Sequence, residues 1–296
     1  MSRQPPFASR RPDWALALLG SSLLSLGCGA AGSEDAATEG VERVVAAVEV
    51  QLFAQAPLEQ AEVRVRAGAI FARHRGIEGP QVLRLLGVGS GLELTECALL
   101  GAEPEEAPAE AALIELLDAG TVHLIVGGEA FELLPRSFPA MGSLVAGVVY
   151  AADRDALRFE DEARPISIEA EGSDALGRFE ALSMPPEPVL SLHLDGRPAA
   201  RWPIALRGEA LALRWDASNP ADALAIELRA GGQTLLCRSA DLGAFDLPGE
   251  LLGALPADPD ARLRVSRERL EITEIAGVDA AWIRVAVTTE HRLLLR

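Results

Sequence analysis

From residue 43 onward the dominant hydrophobic period is two. VEVQLFAQ places Val48, Val50 and Leu52 on one face and Glu49 and Gln51 on the other. EVRVRAGAIF turns Val63, Val65, Ala67 and Phe71 inward and Arg64 and Arg66 outward. TVHLIV, ISIEAEG, LSLHLDG, LAIELRAGG, RLRVSR and WIRVAVTT repeat the device. Strict alternation marks strands with one buried face and one wet face. Turn signals separate them at Ala119-Gly120, Gly127-Gly128, Asp195-Gly196, Ser218-Asn219-Pro220 and Gly231-Gly232. Helical signals are few. APAEAALIELLDAG, residues 107–120, has good helix formers, but its ALIELL also reads as strand. LPGELLGAL, residues 247–255, holds one helical turn with Pro248 at its start.

Met184-Pro185-Pro186-Glu187-Pro188 is the best boundary, because three prolines in four positions oppose both helix and central strand. The fold class expected is all-β: two immunoglobulin-like antiparallel β-sandwich domains in tandem, over residues 43–184 and 189–296. Leu211, Leu213, Trp215, Leu224, Ile226, Leu228, Ile283, Val285 and Val287 form the expected core of the second domain, with Arg214, Glu227, Arg229 and Arg284 as its wet face.

The amino-terminal end follows a different pattern. Arg3, Arg10 and Arg11 precede an apolar run from Trp14 to Leu26. The run is shorter than the ~20 apolar residues a spanning helix needs and reads as an export signal over residues 1–27. Leu26-Gly27-Cys28 resembles the lipobox of bacterial lipoproteins, with Ser25 where that pattern has a leucine. The resemblance implies cleavage before Cys28 and acylation of its side chain, so that the membrane is a partner through a lipid anchor. Gly29, in place of an aspartate, implies the outer membrane. Residues 28–42 are poor in large apolar side chains and suit a flexible tether. The alternative is an ordinary secretory signal cut within Gly29–Gly32, leaving no anchor.

LLDAGTVHLIVGG, GVVYAADRDALRFEDEARPISIEAEGSD, the proline-rich segment, LALRWDASNPADALAIELRAGG and LLCRSADLGAFDLPGELLGAL are similar in pattern and spacing to uncharacterised envelope lipoproteins of myxobacteria. The similarity covers roughly residues 110–255 plus the lipobox. It implies paired β-sandwiches on a lipid anchor and carries no activity, since fold alone supplies none.

The chain of 296 residues has a formal net charge of -17, and loss of residues 1–27 removes three arginines and one aspartate, leaving -19. Such a field repels phosphate backbones, which argues against nucleic acid as a partner. The chain contains no lysine, which excludes Schiff-base and Walker-type lysine chemistry within it. Besides Cys28 there are Cys97 and Cys237. They either bridge, in a compartment where disulfides persist, or serve as two small buried hydrophobes; their placement in different expected domains favours the second.

The histidines are His74, His123, His193 and His291, and none is set in a cleft by pattern. Ser191, His193 and Asp195 share a strand face, but residues two apart lie about 6.6 Å apart along a strand and point in parallel, which is not a triad. GVGSG, residues 87–91, is a turn and not a nucleophile elbow. Neither H-E-x-x-H nor C-x-x-C occurs. Acidic clusters at Asp153/Asp155, Glu160-Asp161-Glu162 and Asp258/Asp260 suit Ca²⁺ chemically but follow no calcium-loop spacing. No metal, no cofactor and no catalytic residue is therefore assigned. Aromatic residues make up 4% of the chain, too few for sugar-stacking platforms, and Trp202, Trp215 and Trp282 fall in or beside strands. The expectation is a non-enzymatic, lipid-anchored envelope protein, facing the periplasm or the cell surface, that binds or scaffolds other envelope proteins through its sheets. The alternatives are a secreted hydrolase with loop-borne residues and a Ca²⁺-dependent adhesion module.

Overall fold

The computed structural model describes residues 41–54, 62–75, 77–86, 95–100, 113–141, 145–158, 164–201 and 203–296. The signal, Cys28 and the tether up to residue 40 lie outside the described residues, as do GVGSG, the acidic loop 101–110, Glu160-Asp161-Glu162 and Trp202.

The chain is all-β, as its period predicts. The strands are β1 (Arg43–Ala54), β2 (Glu62–Arg75), β3 (Cys97–Leu100), β4 (Leu113–Leu116), β5 (Val122–Val126), β6 (Glu129–Met141), β7 (Val145–Arg158), β8 (Ile166–Ala170) and β9 (Phe179–Ser183). They continue as β10 (His193–Leu194), β11 (Arg197–Pro198), β12 (Ile204–Ala205), β13 (Leu211–Arg214), β14 (Ala223–Ala230), β15 (Gln233–Ala240), β16 (Ala244–Leu247), β17 (Asp258–Ile275) and β18 (Val278–Leu295). Among the described residues two short α-helices join them, α1 (Gly79–Leu85) and α2 (Gly249–Ala254), the latter following Pro248 as expected. Gly127-Gly128, Asp195-Gly196 and Gly231-Gly232 all have positive φ at both positions, the backbone that a two-residue hairpin connection requires.

One sheet dominates. Its path runs β3-β15-β14-β17-β18-β1-β2-β4-β7-β6-β5-β8-β9, with β12 paired to β18, and a second sheet runs β11-β10-β13-β16. From β17 round to β9 the large sheet curls about one core. Val48, Val50 and Leu52 meet Val65, Phe71, Leu124, Leu133, Ile168 and Phe179 there, and β9 comes to lie beside β17. Tyr150 crosses this core edge-on to Phe71. Its hydroxyl donates to Asp118 at 2.6 Å and accepts the Ala119 amide at 2.8 Å. Burial, with the bond to Asp118, pushes its pKa up to about 12. A second core lies between the small sheet (Leu194, Leu211, Leu213, Leu247) and the other end of the large one (Leu224, Ile226, Leu228, Leu235, Leu263, Val265).

The tandem division at residues 184–188 is not the one the sheet follows. Residues 40–296 form one compact unit. β1 pairs in parallel with β18, Val48 opposite Ile283 and Val50 opposite Val285. Ile283, Val285 and Val287, expected in the second core, fill the first. The reason is strand length: β17 and β18 are 18 residues each, about 60 Å if extended. One hairpin therefore serves both cores, with Leu263, Val265, Leu293 and Leu295 in the second and Ile275, Ala281 and Ile283 in the first.

The proline-rich segment is a tied connector. Pro185 and Pro186 are buried. Arg269 donates to the Met184 carbonyl at 3.2 Å, Arg267 to that of Glu187 at 2.9 Å, and Ser218 to the Glu187 carboxylate at 3.0 Å.

Residues 43–184 expressed alone lack Ile275, Ala281, Ile283, Val285 and Val287 of their core and the strand beside β1. This fragment is expected to show no cooperative thermal transition, whereas the chain from residue 40 to residue 296 shows one; circular dichroism of both checks this.

Candidate functional site

Among the described residues, two places gather polar side chains inside the fold. The first is a belt between the cores, where the β17–β18 hairpin changes from one to the other. Alternation would put an apolar residue at 267; Arg267 stands there instead, only 2% exposed. Its guanidinium pairs with Asp241 at 3.0 Å and donates to the Asp216 carbonyl at 2.7 Å. Asp241 also accepts the Trp215 indole N–H at 2.6 Å and the Ser218 amide at 3.0 Å. Burial pushes the Asp241 pKa upward, but those donors and Arg267 outweigh it and hold the carboxyl below its ordinary range. Arg269 forms a two-pronged pair with buried Asp222, both bonds 2.9 Å. Glu268 faces Arg284 at 3.5 Å and Arg238 at 3.7 Å, and burial nonetheless raises its pKa. Each charge faces an opposite one, although Arg267 Nε and Glu268 Oε2 make no hydrogen bond of full geometry, and this is the chemistry of a structural junction.

The second place lies where β1 begins. The outward face of β2 carries Ile70, Ala72 and His74 in place of the arginines before them. α1 packs over that face, and Val82 joins Val45, Ala72, Ile114, Leu116 and Trp282 in a third small core. Gly79 lets the helix approach: a Cβ there would stand 3.0 Å from the Trp282 ring and 3.2 Å from Val45. Beside it is a cavity of about 390 Å³, lined by Arg43, Val45, His74, Glu78, Gly79, Pro80, Asp279, Ala280 and Trp282. Arg43 and Glu78 pair at 3.6 Å on its exposed side. Asp279 accepts the Val44 amide at 2.6 Å. His74 is 2% exposed, and neither ring nitrogen makes a hydrogen bond of full geometry. Burial is the main cause that lowers its pKa, with Arg43 acting the same way; the Ile77 backbone, Asp279 and Glu78 oppose it.

The residues singled out in the sequence fall as follows. Cys97 and Cys237 stand opposite each other in the β3–β15 pair and form a disulfide across 140 residues. The reading as two separate hydrophobes fails because β3, from the first half of the chain, is the edge strand of the second core. Ser191 Oγ donates to Asp216, His193 Nδ1 contacts the Ser191 carbonyl at 3.1 Å, and Asp195 caps the Ala212 amide at 3.0 Å, so the three do not converge. His123 is half-buried in β5. Asp153 is held by Arg64 at 2.7 Å and Arg66 at 3.4 Å. Asp258 accepts the Gly231 and Asp260 amides, both at 2.8 Å. Among the described residues no three His, Cys, Asp or Glu side chains are grouped to hold a metal ion. His74 is the site residue that sequence reasoning missed. Its signal was the break in β2's wet face at Ile70 and Ala72, followed by Val82 and Leu86 four residues apart.

No family model and no curated protein matches the chain. Among solved structures, it is similar to a chain from a study of host cell surface retention of a 1.5-MDa bacterial ice-binding adhesin. The two are 11% identical with a TM-score of 0.20, over 86% of this chain and 65% of that one, so this chain spans about 65% of the length of its match. A TM-score of that size carries no argument about fold or function.

Removing one partner of a buried ion pair leaves the other charge unpaired. Asp241→Ala is therefore expected to cost about 3–5 kcal/mol, against about 0–1 kcal/mol for Asp153→Ala at the exposed Arg64 pair; urea denaturation of both variants measures the contrast. The lowered histidines give a pH dependence. His291 is depressed by burial, against Glu290, as His74 is. In the unfolded chain both titrate near 6.5, so below that value the unfolded chain binds more protons than the fold. Their contribution to stability is complete above the unfolded value and is lost as pH falls through the folded ones. Glu268, with its raised pKa, runs the opposite way. The Tm is expected to drop between about pH 7.5 and pH 5.5, and the double variant His74→Gln/His291→Gln to drop less.

Proposed function

We propose that the protein is an exported, lipid-anchored envelope protein that works by contact, binding or scaffolding other envelope proteins, and not by catalysis. The Cys97–Cys237 disulfide carries this reading. It ties the edge strand β3 to β15 and closes a long loop, a stabilisation that persists only in an oxidising compartment. That agrees with the export signal and the lipobox-like Leu26-Gly27-Cys28. Among the described residues no helix is long and apolar enough to cross a membrane, and in this reading attachment rests on acylated Cys28. The second core, with a four-stranded sheet facing β14, β15 and β17, supports an immunoglobulin-like sandwich for that part of the chain. Leu182 in β9, Met184 just after it, and Leu270 and Ile272 in β17 are exposed and supply apolar contact residues.

Cell fractionation and intact mass of the wild type beside Cys28→Ala test the anchor. The wild type is expected in the membrane fraction with an acylated Cys28 as its first residue, and the variant in the soluble fraction. Thiol alkylation without reductant is expected to leave Cys97 and Cys237 unlabelled. A wild type that is soluble and unacylated, or that labels at both cysteines, refutes the reading.

A further inference from the structure

The cavity at the start of β1 does not satisfy its own groups. Arg43 is engaged with Glu78 on the solvent side. Asp279 spends Oδ2 on the Val44 amide, and none of the described guanidiniums pairs with it. His74, buried in the wall, makes no hydrogen bond of full geometry on either ring nitrogen, and its one near partner is the Ile77 backbone. The Trp282 indole forms a further wall, and Val45, Pro80 and Ala280 are apolar.

The geometry points to this cavity as a binding site for a primary ammonium on a short apolar stem. An ammonium carries three donors. The Asp279 carboxylate takes one, the unprotonated ring nitrogen of His74 takes a second, and the third faces Glu78 and solvent. The Trp282 indole and the apolar residues of the wall receive the stem. The volume lies within the range of small-molecule sites, about 300–1,000 Å³. An anion is disfavoured, since two carboxylates oppose one guanidinium here and the chain carries -17 overall. The chain has no lysine, so no side chain of its own supplies the ammonium. The inference is independent of the lipid anchor. The ammonium can come from a free amine or from the ethanolamine headgroup of a lipid, which present the same chemistry.

Calorimetric titration of the full chain carrying Cys28→Ala with n-butylamine tests it, beside sedimentation with vesicles of phosphatidylethanolamine or phosphatidylcholine. Saturable n-butylamine binding is expected. Asp279→Asn keeps an oxygen for the Val44 amide, so its Tm is expected to stay unchanged while affinity falls about ten- to hundredfold. Arg43→Ala removes a cation that competes for the carboxylates and is expected to tighten binding. Preference for phosphatidylethanolamine vesicles, lost in Asp279→Asn, assigns the headgroup as the source; n-butylamine binding without vesicle preference assigns a free amine. The proposal is overturned if neither probe binds, if a folded Asp279→Asn binds as tightly as its parent, if Arg43→Ala weakens binding, or if sodium propionate binds in place of the amine.

Discussion

The hairpin of β17 and β18 is the constraint on which the rest of the fold depends. A buried strand must pair its backbone on both edges. The two outer edges of this hairpin are served at different places along its length. β14 covers β17 over residues 262–268, near the open end, and β1 covers β18 over residues 280–289, nearer the turn. That stagger extends one sheet in opposite directions. Toward β14, β15 and β3 it faces the small sheet; toward β1, β2 and β7 it curls on itself. The first described strand thus waits for β18 before its core is complete, and the sheet runs across the proline-rich connector.

A strand pair shared by two cores needs something to mark where one ends. Arg267, Glu268 and Arg269 do this. A one-residue slip in pairing would turn every side chain of β17 to the opposite face. It would carry the Arg267 guanidinium away from Asp241 and the Asp216 and Glu187 carbonyls, and leave buried Asp241 with no cation. Burying an ion pair contributes little net stability against a well-packed apolar alternative, whereas leaving one member alone is costly. The belt therefore fixes register more than it adds stability. Because Arg267 and Arg269 also donate to Glu187 and Met184, the same fixation holds the connector on the hairpin.

Period-two alternation reports which face of a strand is buried and is silent on which strand lies beside it. That is why Val48, Val65, Leu213, Ile226 and the three two-residue hairpins were legible in the sequence, while Ile283 and Val285 were assigned to the wrong core. The pairing of β1 with β18 joins residues more than two hundred positions apart, and nothing local to either strand encodes it. The Cys97–Cys237 bond was hidden by the same gap: each cysteine reads as a small hydrophobe on its own strand, and only the β3–β15 register brings them opposite. The candidate cavity was concealed differently. β2 was read by its inward residues, and its outward Ile70 and Ala72 announce a cover that has to come from elsewhere.

That cover explains why the cavity exists. The outer face of a curled sheet is ordinarily wet, and a helix laid on it has to seal its own margins. α1 has only seven residues, and it approaches through Gly79 against the rigid edge of Trp282. It reaches far enough to bury His74 but leaves the ground between Arg43, Glu78 and Asp279 open. The imidazole is thereby taken from water with only the Ile77 backbone near it, whereas the belt around Arg267 sets each charge against an opposite one. A larger side chain at position 79 would lift α1 off the indole and return His74 to solvent. A longer helix would close the cavity over it. The arrangement present keeps a buried imidazole beside a carboxylate and an opening, and those are the elements a ligand with donors to offer would complete.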